Sequence, residues 1–417
     1  MSETHAAIHA FLAEHRTEAE RFLAEIVRLP SDNPPGNCAP HARRTAELLR
    51  AMGLAVEAHP VPADLVRANG MTSCTNLVAR VKFGSGRGPT IALNAHGDAV
   101  PPGAGWTADP YGAEIRDGRM YGRGVAVSKS DFATYAFALR ALEAAAAHGA
   151  HLDGAVELHF TYDEEVGGAI GPPWLLRQGI TRPNFAISAG FAYAITTAHN
   201  GCLHLDIEVV GRSGHAAEPA QGVDALEAAT AILSDLYALR QRYANVKSKV
   251  PGIDSPTLVV GLIAGGINTN VVPDRVSFRL DRRIIPDEDP AEVETTLVRE
   301  IERSGARWPG ITVRVRRILL AQPLLPIPGH DKLVAAIRRH GEAIIGETLS
   351  AIGVPIYTDA RHYAAAGVPT VLYGAGPRSL DEARGHRADE NLKLDDLHQA
   401  TEVVALAIAE LLAPEIA

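Results

Sequence analysis

In residues 4–29, apolar positions recur at three- and four-residue spacings through Ile8, Phe11, Leu12, Phe22, Leu23 and Ile26, which predicts helix. A turn cluster, Ser31-Asp32-Asn33-Pro34-Pro35-Gly36, follows it. Residues 39–52 predict a second helix, stopped near Gly53. Short strand-like runs stand at 77–81, 90–94 and 155–161, with an Ala-rich helical stretch at 132–147 between the last two. Strands alternating with helices predict an α/β domain built on a mostly parallel sheet.

The pattern changes near residue 200. Residues 202–210 alternate as a half-buried strand and 224–243 read as a long helix. Strands at 257–264 and 276–284, a helix at 291–303 and a strand at 311–318 complete the segment. The order β-α-β-β-α-β is the split βαβ, or ferredoxin-like, arrangement. After Pro326 the α/β pattern returns, with a helix at 332–345, a strand near 370–373 and a closing helix at 397–412. The expected architecture is a catalytic α/β domain formed by residues 1–199 and 319–417. A smaller ferredoxin-like α+β domain at 200–318 interrupts it.

Composition narrows the functional classes. At about 150 residues per domain, 417 residues imply two to three domains. With 46% hydrophobic and 21% charged residues, the chain is neither disordered, fibrous nor a small disulfide scaffold. A net charge of −9 without any basic run argues against nucleic-acid or anionic-membrane partners and leaves a small-molecule substrate. No apolar run reaches the roughly 18 residues of a membrane span, and the N-terminal segment lacks the apolar core of a signal peptide. Cys38, Cys74 and Cys202 are odd in number, far apart and without C-x-x-C spacing. They read as thiols of a reducing compartment, not as a disulfide framework or a zinc knuckle. The expectation is a soluble, cytoplasmic protein.

Several polar clusters fall at strand ends. His96 and Asp98 close the 90–94 strand, where α/β sheets bind ligands. One reading is a metal ligand beside an orienting acid; the other is a capping Asp and a buried histidine. Asp163-Glu164-Glu165 follows the 155–161 strand. Adjacent carboxylates repel unless a cation or solvent absorbs the charge, so a metal ligand beside a general base competes with a solvated turn. His386 and Glu390 lie in a polar loop before the last helix, and His215 leaves the first strand of the inserted domain. Asn270 and the run Asp281-Arg282-Arg283 read as turns and an exposed strand, or as clamps for a substrate carboxylate.

Together these marks resemble the metallopeptidase and amidohydrolase family of aminoacylase, carboxypeptidase G, acetylornithine deacetylase and succinyl-diaminopimelate desuccinylase. In order they are His96-x-Asp98, Tyr121-Gly122-Arg123-Gly124, Asp163-Glu164-Glu165, Gly211-x-x-x-His215, Gly265-Gly266 with Asn270-Val271-Val272-Pro273, and His386 with Glu390. The resemblance spans nearly the whole chain. It implies that His96 is a metal ligand supported by Asp98, that Glu164 is the general base, and that Glu165 and His386 are further metal ligands. It also implies that His215 is a lid donor to the oxyanion, crossing from the partner in a homodimer formed through the lid domain. Asn270 and Arg283 take substrate-binding positions.

Two departures alter that picture. The family carries a metal-bridging Asp two residues before a lysine; here the lysine is Lys129 and the bridging position is Val127. A second family carboxylate falls at Ala189. Without a shared anion, two dications about 3.5 Å apart repel strongly, so one divalent metal is expected. His96, Glu165 and His386 then form a two-His-one-carboxylate set suited to manganese or zinc, with iron also compatible. Asp98 and Asp131 are further candidates for that shell. The expected activity is hydrolysis of a C–N bond in a small carboxylate-bearing substrate. Loss of the bridge favours a substrate that stabilises its own charge, as in the divergent branch typified by 5-nitroanthranilate aminohydrolase. The alternatives are an N-acyl-amino-acid or dipeptide amidohydrolase and, in another class, a catalytically inactive binding protein.

Overall fold

The computed structural model describes residues 3–414. The chain divides into two units, one of Met1–Thr197, Pro326–Ile352 and Thr358–Ala417, the other of Ala198–Leu325 with Gly353–Tyr357. The second unit therefore runs past the boundary expected at 318 and takes back a short downstream piece.

Six of the eight strands of the sheet in the first unit run in the order Val56–Pro60, Thr75–Phe83, Gly154–Thr161, Thr90–His96, Phe185–Ser188 and Thr370–Leu372. The last four of these strands pair in parallel, and the first two pair antiparallel with their neighbours. The sheet is thus mixed, where the sequence pattern predicts a mostly parallel one. The reason is loop length. Residues 84–89 join the Thr75–Phe83 and Thr90–His96 strands, and a parallel crossover needs about a dozen residues or more. The short link therefore reverses the chain.

Every residue of Gly154–Thr161 is buried, as expected for a strand covered on both faces. Helix Ser130–Ala147 buries Phe132, Tyr135, Phe137 and Leu139 completely and packs with Leu394–Leu411. The single helix expected over 4–29 is two, Glu3–Glu14 and Arg16–Val27, separated at His15. There the His15 Nδ1–H donates to the Phe11 carbonyl at 2.8 Å. A small sheet, Glu114–Arg116, Arg119–Tyr121 and Asn391–Lys393, has no counterpart in the sequence pattern, because its strands are too short to show periodicity.

In the second unit the order is Thr257–Gly265, Arg275–Ile284, Gly201–Val210 and Thr312–Ala321, all antiparallel. Alternation along Gly201–Val210 sends Leu203, Leu205, Ile207 and Val209 into the core formed with helices Ala225–Tyr243 and Pro290–Gly305. Both helices start on an Asp cap. Asp224 accepts from Leu226 and Glu227, and Asp289 from Ala291 and Glu292, each cap contributing about 1 kcal/mol. Among the described residues no helix is long and apolar enough to cross a membrane.

Candidate metal centre

The Thr90–His96 strand runs buried to its carboxyl end and delivers His96 there. The turn that follows needs Gly97, since a Cβ there would lie 2.4 Å from Tyr162 Cε1. Asp98 is fully buried and accepts from Asn33 Nδ2 (2.9 Å) and from the amides of Glu164 (3.3 Å) and Glu165 (3.1 Å). It therefore ties the end of one strand to the acidic turn at the end of the next.

His96 Nδ1 lies 3.0 Å from the Asp98 carbonyl and 3.3 Å from Oδ1 of the same residue. Both are acceptors, so Nδ1 carries the ring proton in the neutral tautomer. Nε2 is left with its lone pair, and it lies 3.8 Å from Glu164 Oε2. This is the arrangement by which a second group fixes a metal-ligating histidine. His96, Glu164 and Glu165 each offer a ligand atom, all within 4.8 Å of one another. His386 Nε2 lies 3.2 Å from Glu165 Oε1, a buried atom with no aligned hydrogen-bond donor. A buried carboxylate oxygen beside an imidazole, with no donor aligned on it, fits a cation.

The electrostatics of this cluster are dominated by burial. Loss of water pushes the Glu164 carboxyl up to about 8, with repulsion from Glu165 and Asp98 adding to the rise and His96 opposing it. Burial alone would lower His96, but Glu164, Asp98 and Glu165 together hold it well above the usual imidazole range. The Glu165 carboxylate beside its ring raises His386.

Asp131, at the start of its helix, is buried and pushed up to about 7. Its oxygens accept from the amides of Ala375 (2.7 Å) and Gly190 (3.2 Å). Val127 lies beside the His386 loop, where its Cγ2 would be 3.6 Å from a Cβ at Gly385. Ala189 follows the neighbouring strand and donates its amide to Asn94 (2.8 Å).

The small sheet positions the His386 loop. Asn391 pairs with Tyr121, which brings Arg123 to Glu390 in a buried ion pair of 2.5 Å. The loop holds Arg384, His386 and Asp389 at φ of 52°, 61° and 59°, left-handed conformations costly for side chains with a Cβ.

Sequence reasoning missed Asp359 and Arg361. Asp359 is buried and pushed up to about 7, by burial and then by Glu164. Arg361 donates to the carbonyls of Gly167 and Thr358, both at 2.6 Å, and its charge favours the ionised form of Glu164. The signal was the polar run Thr358-Asp359-Ala360-Arg361-His362 between a strand and a helix. The remaining predicted residues lie in the second unit. His215 is exposed, and its Nδ1 accepts from the Ala217 amide at 3.0 Å. The Asn270 carbonyl accepts from Ala216, and Arg283 Nε donates to Asp281 at 3.0 Å.

A buried imidazole with a fixed tautomer, clustered carboxylates and strand ends of an α/β sheet define a metal-dependent hydrolase centre. The chain belongs to peptidase family M20/M25/M40, whose sequence profile matches residues 92–410. It is 29% identical over 374 residues to acetylornithine deacetylase of Proteus mirabilis, covering 87% of each chain. Identity to the acetylornithine deacetylase of Edwardsiella ictaluri is 31% over 353 residues, covering 83% of this chain and 84% of that one. The fold matches a di-peptidase from Saccharomyces cerevisiae, with TM-score 0.78 at 13% identity over the whole of both chains. It also matches an M20 family metallo-carboxypeptidase from Sulfolobus solfataricus, with TM-score 0.76 at 17% identity over 94% of this chain and 99% of that one. Family and cluster together make the chain a metal-dependent hydrolase of carbon–nitrogen bonds.

Proposed function

We propose that this hydrolase works with one divalent cation at this centre, manganese or zinc with iron also compatible, held by His96, Glu165 and His386. The observation that carries the reading is Val127 beside the His386 loop, an apolar side chain where the family resemblance calls for a bridging carboxylate. Ala189 in place of a second acid supports it. When bound, the cation supplies Lewis acidity to the attacking water and the electrophile.

The chain's own groups do the rest. Glu164 accepts the water proton: burial raises its carboxyl, and a cation bound beside it would favour the ionised form that a general base needs. Asp98 keeps the His96 ring in register. His215 accepts at Nδ1, so its neutral ring carries a proton on Nε2 and offers a donor to a developing oxyanion. Asn270 and Arg283 bind the substrate carboxylate.

With one cation, charge on an ordinary amide oxyanion is less well stabilised. The substrate class favoured is a small carboxylate-bearing aryl amine whose ring withdraws electrons, hydrolysed to ammonia and a phenol. The similarity to acetylornithine deacetylases favours a second reading, hydrolysis of an N-acyl amino acid.

The second unit we read as a ferredoxin-like lid pairing with a second copy. Support comes from its strand order and from the edge strand Thr257–Gly265, where Val259, Leu262 and Ile263 are 52, 60 and 57% exposed. The burial of Cys38, Cys74 and Cys202 accords with a cytoplasmic setting.

The test is to supply the metal-reconstituted enzyme with 5-nitroanthranilate and with N-acetylornithine in parallel. Ammonia and phenol from the first, with little acetate from the second, is the expected result. Rapid acetate release without deamination overturns the aryl-amine reading and establishes the amidohydrolase.

A further inference from the structure

The sheet of the second unit carries another ligand set on the face turned away from its helices. Alternation along Gly201–Val210 puts Cys202 and His204 on that face with Asp206 and Glu208. In the antiparallel register His204 stands opposite Asp281, and Cys202 opposite Arg283. His204 Nε2 is 2.9 Å from Asp281 Oδ2, and Cys202 Sγ is 3.6 Å from the same oxygen. The three ligand atoms all lie within 4.8 Å of one another. Arg283 Nε holds the other oxygen, Oδ1, at 3.0 Å, and its guanidinium lies 5.5 Å from the Tyr357 ring. Cys202 is fully buried, whereas the His204 and Asp281 side chains are 32 and 29% exposed, so the set is reachable from one side.

We propose that Cys202, His204 and Asp281 bind a thiophilic divalent cation of the zinc class, with a water completing the tetrahedron. Its three ligands are none of those assigned above to the catalytic cation, although Arg283, read above as a substrate clamp, also holds Asp281. Donor atoms about 2.0–2.3 Å from a tetrahedral ion lie roughly 3.2–3.7 Å apart, so the observed 2.9 and 3.6 Å need only small side-chain shifts. Arg283 makes the arrangement favourable: by occupying Oδ1 it orients the carboxylate and leaves Oδ2 for the ion, as outer hydrogen bonds do around metals. A thiolate and a carboxylate neutralise the dication. On binding, the Cys202 thiol proton passes to solvent and His204 keeps its single ring proton on Nδ1, with Nε2 as ligand. The sulfur ligand selects zinc-class ions over magnesium or calcium, and it distinguishes this set from the His96 cluster, which has no thiol.

The test is cobalt(II) titration of the full chain after chelation. The expected result is a near-ultraviolet thiolate-to-cobalt charge-transfer band that saturates. Cys202→Ser should abolish the band, His204→Ala should weaken cobalt affinity by at least about tenfold, and Glu165→Gln should leave it intact. Absence of the band from the full chain overturns the proposal and leaves a hydrogen-bonded network that only positions Arg283. So does a band that survives Cys202→Ser. Should Cys202→Ser fail to fold, His204→Gln decides, because an unchanged cobalt affinity in that variant is equally fatal. Metal counts on Cys202→Ser separate this site from the catalytic one. Two ions that remain bound there, both needed for turnover, break the one-cation reading and leave the present proposal to the cobalt spectrum.

Discussion

The carboxyl end of the first unit's sheet and the open face of the second unit's sheet use the same residue types to opposite ends. On the open face, Asp206 pairs with Arg316 at 2.6 Å and Glu208 with Arg314 at 2.9 Å, and the arginines are more than half exposed. Each acid there has a cation across the strand and water beside it. At the metal centre, Asp98, Asp163, Glu164 and Asp359 are buried together, with Arg361 as a nearby cation. Their carboxyls are not spread over a register but drawn to one place by the strand ends. Identical side chains thus become surface decoration or reactive groups according to burial and to whether their charges are matched.

The comparison is broken most sharply at Glu164. Glu164→Gln should lower kcat by about 10²–10⁴-fold while the fold and the bound metal persist, measured by steady-state kinetics with elemental analysis. A wild-type rate would place the base elsewhere. Next in size is Asp98→Ala, which removes the acceptor of the Glu164 and Glu165 amides. A loss of about 10–100-fold in metal affinity is expected, read by competition with a chelator.

A smaller effect lies in the pH dependence of the metal-free protein. Glu164, raised to about 8, and Asp131 and Asp359, raised to about 7, hold protons in the folded state that the unfolded chain gives up at ordinary carboxylate pKa values. A raised His96 acts in the same direction. The folded state binds more protons, so stability falls as pH rises toward 8. Buried His41, lowered from 6.5, and Lys129, lowered to about 8, act oppositely, but below about 6.5 and above about 8 respectively. Thermal melts of chelated protein between about pH 6.5 and 8 should therefore show a decreasing Tm. Glu164→Gln should flatten that slope by a few degrees, since 1 kcal/mol is worth about 2–4 °C in a domain of this size. A slope identical in the variant would remove Glu164 as its source.

The smallest effect belongs to the open face. Arg316→Ala breaks an exposed pair and should cost no more than about 1 kcal/mol, with kcat unchanged. A larger loss in denaturant unfolding would show that this face is not solvated in the working protein.

By itself the sequence determined the alternation of strands and helices, the inserted β-α-β-β-α-β segment, and the placing of His96 and Glu164 at strand ends. It also put an apolar residue, Val127, two places before Lys129, where the family resemblance leads one to expect a carboxylate. These follow from spacing along a few turns or strands, which local steric rules and side-chain periodicity control. Only the tertiary structure decided that Asp98 sets the His96 tautomer, that Glu164 stands within the ligand cluster, and that Asp359 and Arg361 belong to the same buried charge system. It likewise paired Arg123 with Glu390 through a sheet too short to predict, and set Asp281 between Cys202 and His204 across an antiparallel register. The physical reason is that desolvation and cross-strand register are properties of contacts between residues far apart in the chain. Spacing can put a carboxylate at the end of a strand, but only the packed fold removes its water and chooses its neighbours.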